Sequence, residues 1–132
     1  MTIIFLVLLA AACGGGWASS SVSPSLPVVH ANEAQDGHTL TLRRGQRLQV
    51  VLHSTYWKLA RVSRTTVLRT VAKPVVRPRS GCVPGAGCGT VTAVYVGVAA
   101  GTANVSASRT SCGEAMGCTA AAGRYVLRVV VR

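Results

Sequence analysis

From Arg124 to Arg132 the chain alternates with a period of two. Tyr125, Leu127, Val129 and Val131 fall on one face, and Arg124, Arg128 and Arg132 fall on the other with Val126 and Val130. Successive side chains of a β-strand point to opposite faces, so this segment reads as a strand with one buried side. A slip of one residue would drive three arginines into the core, which fixes the register.

The same alternation recurs upstream. Leu40 and Leu42 oppose Thr39, Thr41 and Arg43; after a turn at Arg44-Gly45-Gln46, Leu48, Val50 and Leu52 oppose Arg47, Gln49, Val51 and His53. Further strands are read over Val67 to Val71, Val75 to Arg77, Thr90 to Val98 and Thr102 to Arg109, with Gly and Pro punctuation such as Ala99-Ala100-Gly101 between them. No segment keeps the helical period long enough to compete. The expected fold class is all-β, a β-sandwich of about seven or eight strands. A chain of 132 residues has room for one such domain with a single modest core.

Ahead of these strands lies a different kind of sequence. Thr2 to Ala12 is an apolar or small-residue run, too short for a spanning helix, and reads as the apolar region of a signal peptide covering residues 1–12. Leu9-Ala10-Ala11-Ala12-Cys13 resembles the lipobox of bacterial lipoproteins, which implies a lipidated Cys13 at the mature N-terminus; plain secretion with cleavage nearby is the alternative. Residues 13–35, opening with Gly14-Gly15-Gly16 and rich in Ser and Pro, read as a tether too polar to bury much surface. The folded domain is then expected over residues 36–132.

Cysteine arithmetic points the same way. Five cysteines leave Cys13 unpaired beside Cys82, Cys88, Cys112 and Cys118, two pairs of identical spacing. In an exported chain the four read as two disulfides. Zinc ligands would stand closer in sequence and commonly include His, so no metal site is read here. Three pairings exist; the Gly and turn residues within each pair favour two local loops, and a bridge between the loops stays open.

Charge bounds the partners. The net charge is +11, from 14 basic residues, all Arg except Lys58 and Lys73, against Glu33, Asp36 and Glu114. Outside the cytoplasm such a surface meets lipid headgroups or anionic envelope components rather than nucleic acid. The chemistry of catalysis is sparse: His30, His38 and His53 are the histidines, and a Ser54, His38 and Asp36 set lacks the strained turn that exposes a nucleophile. Gly85-Ala86-Gly87 lacks the Lys and helix of a phosphate-cradling loop. The chain is therefore read as a non-enzyme with no cofactor.

The order of motifs resembles one known family. Asp36-Gly37, Thr39 to Leu42, Gly45 and Val50-Val51-Leu52, then Gly85 to Thr90, Ala99 to Thr102, Arg109 and the closing Tyr125 to Val131 strand are similar to the chagasin family, immunoglobulin-like inhibitors of papain-type cysteine proteases. The resemblance implies an immunoglobulin-like sandwich with three loops at one end that enter a protease cleft. The place of that family's Asn-Pro-Thr-Thr-Gly motif reads His53-Ser54-Thr55-Tyr56-Trp57, its Gly-rich loop matches Gly85 to Gly89, and of its Arg-Pro-Trp only Arg109 matches. The binding-loop candidates are accordingly Ser54, Thr55, Tyr56, Trp57, Gly85, Ala86, Gly87 and Arg109, with Tyr56 and Trp57 as the aromatic pair; a core position for Trp57, as sandwiches often have, and burial of Tyr56 are the alternatives.

Two functional expectations result. The first is a non-catalytic, monomeric binding or structural module, exported and anchored to the outer face of the cytoplasmic membrane, with an unknown protein or anionic envelope component as partner. The alternative is a chagasin-like inhibitor of papain-type cysteine proteases.

Overall fold

The computed structural model describes residues 14–132. The leader and Cys13 lie outside the described residues. Eleven strands run in chain order: β1 Val29–Ala31, β2 Thr39–Leu42, β3 Arg47–Leu52, β4 Lys58–Leu59, β5 Leu68–Thr70, β6 Val75–Pro78, β7 Gly89–Gly97, β8 Gly101–Ser108, β9 Ser111–Gly113, β10 Met116–Gly117 and β11 Arg124–Val131. The helical content among the described residues is one 3-10 turn, Glu33–Gln35. No helix among them is long and apolar enough to cross a membrane.

Two sheets face each other. One has five strands in the order β1-β3-β7-β5, with β6 pairing β7 beside β5; the other has four in the order β2-β11-β8-β4. This is an all-β, immunoglobulin-like sandwich. The strand count exceeds seven or eight because β1, β4, β9 and β10 are two- or three-residue pieces that carry too few residues for an alternation to be read.

The register follows the alternation. In β11 the residues Tyr125, Leu127, Val129 and Val131 are buried, and they stand opposite Ala107, Val105, Ala103 and Gly101 of β8. In β3 the buried Leu48, Val50 and Leu52 stand opposite Tyr95, Ala93 and Val91 of β7. Buried residues thus face buried or half-buried ones across each ladder, and the two inner faces form one core. Each fully buried leucine or valine here contributes about 1.5–3 kcal/mol of transfer free energy. Burial also pushes the Tyr95 phenol up to about 12.

Part of residues 13–35, the stretch read as a tether, joins the sandwich. Val29–Ala31 forms a parallel ladder with Leu48–Val50, Ala31 is buried, and the Gln46 side-chain amide donates to the Pro27 carbonyl at 2.9 Å. The β-branched pair Val28-Val29 gives this stretch strand character that its Ser- and Pro-rich surroundings conceal. Residues 14–25 are exposed and carry no secondary structure. β6 also departs from the buried pattern: Val75 to Pro78 are all exposed, because the strand is a short edge that overhangs the core.

Candidate functional site

Three connections meet at one end of the sandwich: residues 53–57 between β3 and β4, residues 79–88 between β6 and β7, and residues 109–123 between β8 and β11. The second is closed by a Cys82–Cys88 disulfide and the third by Cys112–Cys118. The pairing is local in both loops, so the bridge between loops left open above is absent. Two cystines belong to an oxidising compartment, consistent with an exported chain.

The first loop is pinned to the second. The Thr55 N–H donates to the Gly87 carbonyl at 2.9 Å, and the Tyr56 hydroxyl donates to the Gly85 carbonyl at 2.7 Å. Ser54 is buried and its Oγ accepts the Tyr56 N–H at 3.1 Å. Gly87 sits at a φ of 66°, with the Tyr56 ring where a Cβ would stand, 2.3 Å from Cε2. Only glycine fits that combination of backbone and neighbour. Tyr56 is thereby half-buried as a brace between loops rather than displayed for a partner.

Trp57 is not part of an exposed aromatic pair. Its side chain is in the core at 3% exposure, in an edge-to-face contact with Tyr125 at 6.5 Å between ring centres. Period two puts it opposite Tyr56, and the sandwich interior takes the larger ring. The Trp57 Nε1–H and the Tyr125 hydroxyl are both buried without a hydrogen-bond partner among the described residues.

Arg109 covers the outer face of that indole, with its guanidinium carbon 4.4 Å from the ring centre. Its Nε donates to the Ala122 carbonyl at 3.1 Å, and its backbone N–H to Gly123 at 2.9 Å. One arginine therefore closes the neck of the third loop and caps the core at once.

Between the loops lies a cleft of about 260 Å³, lined by His53, Ser54, Arg79, Ala86 to Gly89, Arg109 and Cys112. It gathers Ser54, Ala86, Gly87 and Arg109 from the sequence-derived candidates. Thr55, Tyr56 and Gly85 stand behind it as the brace, and Trp57 belongs to the core. Sequence reasoning missed Arg79 and His53. Arg79 follows Pro78 at the start of the Gly-rich loop, and its only sequence signal was a charge next to a cysteine staple.

At the rim, the Glu33 carboxylate takes the His53 backbone N–H and lies 2.9 Å from the His53 ring Nδ1. Burial raises the Glu33 pKa, but the hydrogen bonds from the His53 ring and backbone, with the His53 charge, outweigh it and hold the carboxyl below its ordinary value. Asp36 is also occupied, its Oδ1 accepting the Val126 N–H at 2.8 Å. His38 Nδ1 contacts the Asp36 carbonyl instead of Ser54, so no hydrogen bond joins a nucleophile to a base among these three. Val83 and Met116 stand exposed on the tips of the two stapled loops.

No protein-family model and no characterised protein sequence matches the chain. Solved structures do match. The cysteine protease inhibitor EhICP2 from Entamoeba histolytica superposes with a TM-score of 0.58 at 11% identity, over 83% of this chain and 100% of its own. Amebosin, solved in solution, superposes with a TM-score of 0.54 at 15% identity, over 79% of this chain and 98% of its own. The shared property is the fold, a chagasin-type sandwich.

Proposed function

We propose that this chain is a non-catalytic inhibitor that docks the three-loop end of its sandwich into the cleft of a papain-type cysteine protease. The observation that carries the reading is the convergence of three loops at one end, two of them closed covalently. Closed loops lose less conformational freedom on docking, so more of the contact energy appears as affinity. The same sandwich in a protein named as a cysteine protease inhibitor supports the partner class. The exposed Val83 and Met116 offer apolar contacts at the leading edge.

The test is inhibition of papain-type enzymes by the purified full chain. Inhibition at micromolar concentration or below, weakened by Val83→Asp and Met116→Asp, is the expected result. Full protease activity at micromolar chain overturns it.

One observation favours a second reading, a docking module for another envelope partner. The tip of the first loop is folded down onto Gly85 and Gly87 instead of projecting, and its residues differ from the inhibitory motif. In both readings the chain is exported and tethered through a lipid on Cys13. Labelled palmitate should enter the full chain expressed in a bacterium with a lipoprotein pathway, and Cys13→Ser should abolish the incorporation. Incorporation that survives this substitution overturns the anchor.

A further inference from the structure

We propose that the cleft between the three loops is an oxyanion subsite that receives a carboxylate side chain of the docked protein partner. The proposal rests on the reading of this end as the docking surface and names the chemical group the partner must bring.

Positive charge at this end is uncompensated. Among the described residues the one ion pair is His53 with Glu33. Arg79 and Arg109 line the cleft and neither has a carboxylate partner. Of the three acidic residues, Glu33 is taken by His53 and Asp36 by the Val126 N–H, and Glu114, exposed in the third loop, is not among the residues that line the cleft. Closing a partner over this end strips water from two guanidinium groups, and a buried charge left unpaired opposes docking strongly. A partner that places a carboxylate there removes the penalty and gains fork-shaped, charge-assisted hydrogen bonds.

The residues around the cleft also carry unused donors. The N–H groups of Gly87 and Cys88, consecutive on the cleft wall, have no acceptor among the described residues. Consecutive backbone N–H groups around a glycine of positive φ are a recurrent anion-binding arrangement. Ser54, 7% exposed, accepts the Tyr56 N–H, and its own hydroxyl proton has no acceptor among the described residues. Residues carrying guanidinium, amide and hydroxyl donors thus line one cleft together. Its volume of about 260 Å³ exceeds that of several waters, enough for a carboxylate and part of its hydration.

The test uses the folded full chain at low ionic strength, where screening is weakest, and follows backbone amide signals by NMR. The probes are N-acetylglutamate methylamide, its glutamine counterpart and inorganic phosphate. The glutamate probe should move the amides of Ser54, Gly87 and Cys88, and the glutamine probe should not. Arg79→Gln, at an exposed position, should weaken that binding about threefold to fivefold. Arg109→Lys should weaken it while retaining charge, and Arg128→Gln on the outer face of β11 should leave it unchanged. If Arg109→Lys fails to fold, Arg79→Gln decides alone. Phosphate acting at these amides without the glutamate probe overturns the carboxylate assignment. Shifts spread over all arginines and equally reduced by Arg128→Gln overturn the subsite. No protease is needed, so this result stands apart from the inhibition assay.

Discussion

Arg109 lies over Trp57, guanidinium carbon to ring centre 4.4 Å, and joins the base of the third loop to the core. A cation over an indole face contributes about 0.5–2 kcal/mol depending on desolvation, and the Nε bond to Ala122 adds to it. Arg109→Ala should therefore lower unfolding stability by about 1–2 kcal/mol and shift Trp57 emission toward that of a hydrated indole. Urea unfolding followed by tryptophan fluorescence measures both. A stability equal to the parent chain's would show that the stack contributes nothing.

The pairing of Gly87 with Tyr56 gives a sharper prediction. Gly87→Ala meets the Tyr56 ring and a positive φ together, and should cost about 1–3 kcal/mol. Removing the ring as well, in Gly87→Ala with Tyr56→Ala, should cost less than the sum of the two single changes, because the clash is then absent. A double-mutant cycle by chemical denaturation is the check, and strict additivity would contradict the brace.

Two buried tyrosines should weaken the fold at alkaline pH. Burial raises the Tyr95 pKa to about 12. Burial, with the Asp36 and Glu33 carboxylates and Tyr95 adding to it, raises the Tyr125 pKa. A phenol whose folded pKa exceeds its unfolded value favours the folded state fully below the unfolded pKa. That stabilisation is lost as pH rises from the ordinary phenol value of 10.0 through about 12. Phenolate absorbance should thus rise together with unfolding by circular dichroism in this window. Because the Tyr125 hydroxyl is buried without a partner, Tyr125→Phe should leave stability unchanged or raise it by up to about 1 kcal/mol.

The disulfides hold loops and stand outside the core. Each closes a short loop of sequence separation 6, worth about 2 kcal/mol in chain entropy. Replacing Cys82 and Cys88 by Ser should keep the β-sheet circular dichroism spectrum and lower the melting temperature. Affinity for the docking partner should fall more steeply than stability. A variant that melts at the parent temperature would show that the staple adds no stability.

The strands were legible because alternation is a local property. Leu48, Val50 and Leu52, and Tyr125 through Val131, announce their buried face within a few residues, and the structure buries those residues. The first strand was hidden because three residues, Val29–Ala31, are too few to alternate visibly beside a Ser- and Pro-rich stretch. Trp57 reads either as a loop-end aromatic beside Tyr56 or as a core tryptophan, and the structure takes the core reading, as adjacent residues of an extended chain face opposite ways.

The sequence by itself determined that the chain is a sandwich of strands with a defined register, that four cysteines stand in two matched pairs, and that positive charge exceeds negative. Only the tertiary structure decided that Arg79 and Arg109, thirty positions apart, share one cleft with Ser54, Gly87 and Cys88. It also decided that the first loop folds onto the second and that Trp57 is roofed by Arg109. The reason is physical. Side-chain alternation is fixed by bond geometry along a single strand, whereas the meeting of three loops depends on how two sheets stack, and no local pattern encodes that distance.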